Sequence, residues 1–327
     1  MNTNDKQIAR NLQFENLSTV WERRRQKIRL RTGEPVYPFG LPELDRITHG
    51  VTKGKVTVIA ARTSEAKTSF ALQAAFGIAD KNKTVLYITL EDDSEQIAER
   101  IFSNLREVDN QDLIRGRVPD EVLDDPAILK IFESVRFLAL QDYGHNFDEI
   151  KDAIDSLEPK PEVVFLDYVQ MIEQLPKETE YESLSRFAQQ CKKFAELNEI
   201  ALVVISQINR AGAKDGRPQA HHLQGCGRLE QVADLLLILY APANYGASSY
   251  DFDKEKGTGM EECPPDYVEV NIAKNKNGPR NWVVSLRFTG RFYKFEGWRR
   301  EMSQIETSRK FQGLESGLYM TNSIRHK

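Results

Sequence analysis

Cysteine is scarce in this chain of 327 residues: Cys191, Cys226 and Cys263 are far apart and odd in number. That argues against a disulfide framework or a cysteine-based zinc site and points to a reducing compartment. The adjacent His221 and His222 have no carboxylate or cysteine at metal-ligand spacing beside them. Long apolar runs are missing as well. No uninterrupted stretch approaches the roughly 18 residues of a membrane span, and the polar start Met1-Asn2-Thr3-Asn4-Asp5-Lys6 lacks the apolar stretch of an export signal. A soluble, unexported chain with no membrane partner is the expectation. A strong charge of one sign is also absent. The formal net charge of -4 provides no global basic field of the kind that marks many free-standing nucleic-acid binders. Nucleic acid is not excluded, because a ring-shaped assembly can concentrate positive charge in its channel while its outer faces stay acidic. With 40% hydrophobic and 29% charged residues, nothing suggests disorder throughout. A sizeable core is expected in one large domain, with or without appendages.

What the chain does contain is a rhythm of short apolar runs separated by helical stretches: Val56 to Ala60, Val85 to Leu90, Val135 to Leu140, Val163 to Leu166, Leu202 to Ile205 and Leu235 to Leu239. Strands alternating with helices read as α/β, a parallel sheet covered on both faces. Cys191 falls on the apolar face of one helical pattern with Leu184, Phe187, Ala188 and Ala195, and is expected in the core. Beyond Pro265 the texture changes to alternation of apolar and polar residues, in Tyr267 to Ala273, Trp282 to Phe288 and Phe292 to Phe295. The turn signals Asn277-Gly278-Pro279 and Thr289-Gly290 lie between these runs, so they predict antiparallel strands extending one edge of the sheet. Ahead of the core, a helix is predicted over roughly Ser18 to Leu30, carrying Arg23, Arg24, Arg25, Lys27 and Arg29, before Gly33 and Pro35 break it off. Its basic run reads as a solvated face, a docking surface for a neighbouring subunit, or a contact to nucleic-acid phosphates. Long loops are expected over 171–182 and 241–266.

Glycine is lacking where it matters most. Ala61-Arg62-Thr63-Ser64-Glu65-Ala66-Lys67-Thr68 sits between the apolar run ending at Ala60 and the helical pattern from Phe70, where a phosphate-binding loop belongs, yet both glycines of G-x-x-x-x-G-K-[ST] are alanine. Such a loop needs free N–H groups at a helix N-terminus, a lysine for the terminal phosphates and a hydroxyl for magnesium, and Lys67 and Thr68 suit the last two. At Ala66 the chain loses the residue that reaches positive φ without penalty. An ordinary strand-turn-helix with a surface lysine is the alternative reading. The run Val163-Val164-Phe165-Leu166-Asp167 supplies a second acid for a metal, although apolar runs ending in Asp are common. Glu91 closes the strand after the loop's helix and could orient water; an acid in the next helix's first turn is its plainer account. Gln207, after Ile205-Ser206, could sense a terminal phosphate or cap a loop.

Taken together these segments resemble the RecA-like motor domain of DnaB-type replicative hexameric helicases, from about Phe39 to Glu296. Gly40-Leu41-Pro42-Glu43-Leu44-Asp45-Arg46 is similar to the family's leading segment, ahead of the phosphate loop. Thr89-Leu90-Glu91 resembles its Ser-Leu-Glu element, and Leu166-Asp167-Tyr168-Val169-Gln170 its Walker B segment. Ile205-Ser206-Gln207-Ile208-Asn209-Arg210 resembles the sensor motif, and Leu229-Glu230-Gln231-Val232-Ala233-Asp234 the Ile-Glu-Gln-Asp-Ala-Asp block. Ala273-Lys274-Asn275-Lys276-Asn277-Gly278-Pro279 resembles Ala-Lys-Gln-Arg-Asn-Gly-Pro. The seven blocks follow the family's order.

The resemblance implies an α/β RecA-like ATPase that assembles as a hexameric ring and uses ATP and magnesium to translocate on single-stranded DNA in replication. It implies that Arg62, Thr63, Ser64, Glu65, Ala66, Lys67, Thr68 and Ser69 cradle the nucleotide, that Thr68 and Asp167 hold magnesium, that Glu91 serves the attacking water and that Gln207 meets the terminal phosphate. Lys274 and Lys276 would act across the subunit interface; the family usually has arginine at the latter, and lysine keeps the charge without the planar fork. Leu223-Gln224-Gly225-Cys226-Gly227 occupies the family's DNA-contacting Leu-Arg-Glu-Ser-Gly loop, so Gln224, Gly225 and Gly227, with Arg228, Arg210, Lys214 and Arg217, are the expected DNA contacts. The implied layout is a basic linker helix over 1–35, a motor domain over 36–297 and a tail over 298–327, in the cytoplasm of a bacterial or phage-infected cell. A helicase loader and other replication proteins are possible partners. Two rivals stand beside it: a recombinase-like or KaiC-like relative of the same fold, and a nucleotide-binding structural or loader subunit with weak or no hydrolysis.

Overall fold

The computed structural model describes residues 16–29, 36–63, 65–141, 146–167, 169–171, 173–209, 217–223, 227–247, 249–250 and 261–298. Helix α1 (Leu17–Arg29) covers the expected basic segment and precedes a small antiparallel pair, β1 (Val36–Tyr37) with β2 (Val51–Thr52), which brackets α2 (Pro42–Thr48). The turn into α2 is organised by Asp45, whose carboxylate accepts the N–H groups of Phe39, Gly40 and Leu41 at 2.7–3.0 Å. Gly50, at φ +91°, passes so close to Tyr37 that a Cβ would lie 2.2 Å from its carbonyl oxygen, so only glycine fits there.

The core begins with β3 (Val56–Ala61), α3 (Lys67–Ala79) and β4 (Val85–Thr89). Helices α4 (Ser94–Arg106), α5 (Asn110–Ile114), α6 (Asp120–Leu123) and α7 (Pro126–Ser134) lead to β5 (Phe137–Gln141). Helix α8 (Phe147–Asp155), β6 (Val163–Asp167), α9 (Glu180–Asn198), β7 (Ala201–Gln207), α10 (Gly227–Val232) and β8 (Leu235–Tyr240) follow. A short pair, β9 (Ser249–Tyr250) with β10 (Glu261–Glu262), interrupts the long segment after β8. Three antiparallel strands close the fold: β11 (Tyr267–Asn275), β12 (Trp282–Thr289) and β13 (Lys294–Gly297).

Among the described residues these strands make a nine-stranded sheet in the order β13-β12-β11-β8-β3-β7-β6-β4-β5. The six strands from β8 to β5 are parallel, and β11 joins β8 antiparallel, as the change of texture past Pro265 predicts. Burial explains the continuous apolar runs: every residue of β3, β4, β6 and β8 is buried, because helices cover both faces. Alternation distributes them between two cores. Ile59 and Ala61 point into a cluster with Phe70 and Ala74 of α3, while Val58 and Ala60 face Phe187, Ala188 and Cys191 of α9. Gln73 on α3 locks its helix under the antiparallel extension, donating to the Phe295 carbonyl at 2.8 Å and accepting the Phe295 N–H at 2.7 Å.

The predicted strand from Val135 starts two residues later, at Phe137. The reason is local: the Val135 N–H completes the last turn of α7 by donating to Ile131 O at 3.1 Å. Among the described residues no helix is long and apolar enough to cross a membrane.

Candidate active site

The carboxyl ends of β3, β4, β6 and β7 meet at one edge of the sheet, the edge at which parallel α/β sheets receive ligands. The turn from β3 into α3 is the suspected phosphate loop. Ala66, the residue before α3, has φ 56° and ψ 24°, the left-handed conformation a glycine would adopt without penalty. Holding an alanine there costs roughly 1–2 kcal/mol. At this position the backbone therefore keeps the glycine-like conformation despite the alanine. Among the described residues no side chain caps α3, and no acid occupies its first turn, leaving its N-terminal amides suited to an anion.

Lys67 is buried, and its Nζ lies 4.0 Å from Glu91 Oε2, while Glu91 itself is half-exposed just past β4. Asp167, at the end of β6, is 2% exposed. One of its oxygens, Oδ2, accepts the Tyr87 hydroxyl at 2.7 Å; the other, Oδ1, is buried without a hydrogen-bond partner among the described residues. Burial pushes the Asp167 carboxyl above its usual range, and Lys67, Tyr87 and Thr68 pull it partly back. Burial, with Asp167 beside it, raises the Tyr87 hydroxyl well above its ordinary value, so Tyr87 stays a donor. Thr68 and Asp167 thus bring a hydroxyl and a carboxylate oxygen together, with one buried oxygen unpartnered among the described residues, a hard donor set that fits magnesium.

Gln207 ends β7 in register with Ala61, the last residue of β3, and so stands beside the loop. Its N–H donates to Gln170 Oε1 at 3.1 Å, and Gln170 Nε2 donates to Ser206 Oγ at 2.9 Å. Tyr87 and Gln170 were not singled out from the sequence. Gln170 lies three residues after Asp167 in the same block, which is the only signal for it, and Tyr87 reads as one more apolar strand residue.

Glu65 is also buried within the loop, and Ser69 is buried at the start of α3. Arg62 lies over the Tyr245 ring, 4.6 Å from its centre. Thr63 is exposed, and Ser64 lies outside the described residues.

Lys274 and Lys276 are not brought to this loop within one chain. Strand β11 runs antiparallel to β8, pairing Lys274 with Leu236 and Asn275 with Leu235, so it ends at the amino edge of the parallel strands. That places both lysines near Val56, the start of β3, about 17 Å of strand from the loop. Lys274 Nζ donates to the carbonyls of Glu230 and Gln231 at 2.5 and 2.9 Å. Lys276 Nζ is 2.9 Å from Asp234 Oδ1, while Asp234 Oδ2 accepts Lys192 Nζ at 2.7 Å and the Val56 N–H at 3.0 Å. Burial opposes ionisation of Asp234, but Lys192, the Val56 N–H and Lys276 outweigh it and hold the carboxyl below its usual range. Burial, then Lys276, lowers the Lys274 pKa, and Asp234 offsets them only in part.

Of the expected DNA contacts, Gly227 and Arg228 open α10 on the exposed surface, and Arg228 donates to Gln231 Oε1 at 2.7 Å. Arg217 has a different partner: its guanidinium grips buried Glu269 of β11 through two bonds of 2.7 and 2.8 Å, which makes it an anchor of the fold. Arg210, Lys214, Gln224 and Gly225 lie outside the described residues.

A loop of this shape at the end of a parallel strand, a buried acid two strands away and an antiparallel extension define a RecA-like P-loop domain. The profile of the DnaB-like helicase C terminal domain matches residues 37–297, and the chain belongs to that family. Among its relatives, replicative DNA helicase DnaB of Helicobacter pylori (strain ATCC 700392 / 26695) is 28% identical over 289 residues, covering 79% of this chain and 59% of its own length. Replicative DNA helicase DnaC of Bacillus subtilis (strain 168) is 28% identical over 266 residues, covering 79% and 56%. The chain therefore spans somewhat over half the length of these curated relatives. The ATPase domain of G40P superposes with a TM-score of 0.73 at 24% identity, over 88% of this chain and 100% of that one. A DnaB-like replicative helicase, described with its interactions with primase, superposes at 0.70 and 23% identity, over 88% and 68%.

Proposed function

We propose that this chain is the motor of a ring-forming DNA helicase that hydrolyses ATP to translocate on single-stranded DNA during replication. The observation that carries the reading is the division of the site between two edges: Lys67, Thr68, Asp167, Glu91 and Gln207 at the carboxyl edge, Lys274 and Lys276 at the amino edge. A head-to-tail ring brings the amino edge of one subunit against the carboxyl edge of the next, completing each nucleotide site from two chains. Six subunits, the number implied by the family resemblance, would close the ring.

In this reading Lys67 and the amides from Thr63 to Ser69 hold the phosphates of ATP. Thr68 and Asp167 would hold magnesium, which supplies positive charge against the terminal phosphates. Glu91 orients a water molecule; its oxygen bonds to the terminal phosphorus as the bond to the bridging oxygen breaks, and its proton passes to the carboxylate. ADP leaves with the bridging oxygen's electron pair. Gln207 meets the terminal phosphate, and the next subunit's lysines stabilise the charge that develops. Gly227 and Arg228, with Arg210, Lys214, Gln224 and Gly225, would contact the DNA backbone, and replication proteins such as a helicase loader would be partners in the bacterial or phage-infected cytoplasm.

A second reading, a nucleotide-binding subunit that hydrolyses little or no ATP, is favoured by Ala66 at a glycine position and by the hold of Asp234 on Lys276. Solution mass with a nonhydrolysable ATP analogue tests the ring: a mass near six subunits is expected, and a monomer under all conditions contradicts it. Hydrolysis by the wild type that is stimulated by single-stranded DNA rules out the silent subunit. Activity that appears only in Ala66→Gly supports it.

A further inference from the structure

The phosphate loop carries a carboxylate of its own, and the fold turns that carboxylate away from solvent. Glu65 is 4% exposed. Its Oε2 accepts the Arg62 N–H at 3.2 Å, closing the loop on itself across three residues, while Oε1 is buried with no hydrogen-bond partner among the described residues. Burial pushes its carboxyl up to about 7, and the Arg62 N–H, then Tyr245 and Ala241 of the segment that leaves β8, pull it partly back. Arg62 lies over the Tyr245 ring, so loop and segment meet through two side chains.

Directly after Glu65 stands Ala66, in the left-handed conformation. Alanine leaves that region readily unless its flanks are fixed, because its Cβ crowds the neighbouring peptide, whereas glycine occupies it without support. The C-terminal flank is fixed by the first turn of α3, where the Phe70 N–H donates to the Ala66 carbonyl at 2.9 Å. On the N-terminal flank the anchored side chain is Glu65.

Building on the nucleotide site proposed above, we infer that Glu65 is a positioning residue of the phosphate loop. By accepting the Arg62 N–H where Arg62 packs on the Tyr245 ring, it holds Ala66 left-handed, so that Glu65 and Ala66 together substitute for the missing glycine. Its carboxyl shapes the loop without touching the phosphates.

The test is a double-mutant cycle on the full chain: wild type, Glu65→Ala, Ala66→Gly and the double variant, with binding of magnesium-ADP measured by equilibrium titration. Glu65→Ala is expected to weaken binding about tenfold, within the range of couplings between adjacent residues. In the Ala66→Gly background the same change should cost less than about threefold, because glycine holds the conformation alone. Glu65→Gln, which keeps an acceptor for the Arg62 N–H, should recover most of the affinity. Should Glu65→Ala not fold, Glu65→Met replaces it with the same expectation. An equal loss in both backgrounds, or no loss at all, overturns the inference. A wild type that binds no nucleotide contradicts the nucleotide-site reading instead. The cycle is then read from thermal midpoints without ligand, where non-additivity is expected and additivity overturns the inference.

Discussion

Lys276→Ala separates the stability of the fold from the role assigned to its amino edge. In the folded chain Lys276 meets Asp234 at 2.9 Å, but its side chain is 45% exposed, and Asp234 retains Lys192 at 2.7 Å and the Val56 N–H at 3.0 Å. Loss of one solvent-screened partner from a carboxylate that keeps two others should cost under about 1 kcal/mol. The thermal midpoint should fall by a few degrees at most. If Lys276 serves the neighbouring subunit's nucleotide, the same change should lower ATP hydrolysis by on the order of a hundredfold or more, as loss of a cation supplied in trans does. The decisive assay mixes Lys276→Ala with Lys67→Ala. Each variant alone should be inactive. In a head-to-tail ring assembled from equal parts, roughly a quarter of the sites pair an intact Lys67 with an intact Lys276, so about a quarter of wild-type hydrolysis should return. A Lys276→Ala protein that keeps most of its activity, or a mixture no more active than its components, refutes the reasoning.

Asp234→Asn should behave in the opposite way. It removes a charge that is 8% exposed and leaves Lys192 facing a neutral amide, so unfolding in urea should show a loss of about 2–4 kcal/mol at pH 7. Because the Asp234 carboxyl is held below its usual range, that stability is present above the unfolded value of 3.8 and is lost as the pH falls through the lower folded value. The gap between wild type and variant should close in acid. Glu65 has the reverse sign. Burial, opposed by the Arg62 N–H, raises it from 4.5 to about 7, so its contribution is fully present below pH 4.5 and is lost as the pH rises through about 7. Across that window the wild type should lose up to about 3 kcal/mol relative to Glu65→Gln, and parallel pH profiles would contradict the burial.

The parallel strands were legible because burial on both faces leaves nothing but apolar residues, as in Leu235–Tyr240, and the antiparallel extension was legible because its strands alternate. Asp167 and Gln207 could be placed from sequence because each ends such a run, and Lys67 and Thr68 because they stand between the run ending at Ala61 and the helical pattern that follows. What sequence could not convey is contact between distant segments. Tyr87 reaches Asp167 across two parallel strands, Gln170 ties down the Gln207 backbone, and Arg217 is committed to Glu269 although its loop looks solvated. The burial of Glu65 was hidden for the same reason: in a loop a charged residue reads as exposed, yet it is buried beside the segment that carries Tyr245. Ala66 is the most instructive position. Its sequence predicts strain, and the structure has that conformation in place.

The central claim is that the loop from Ala61 to Thr68 binds and turns over ATP in service of movement on DNA. It is tested most directly by measuring ATP hydrolysis of the wild type and of Lys67→Ala, each with and without single-stranded DNA. Hydrolysis that rises with DNA in the wild type and is abolished in Lys67→Ala is the predicted result. Hydrolysis that survives loss of Lys67, or a wild type that stays inactive in the presence of DNA, contradicts it.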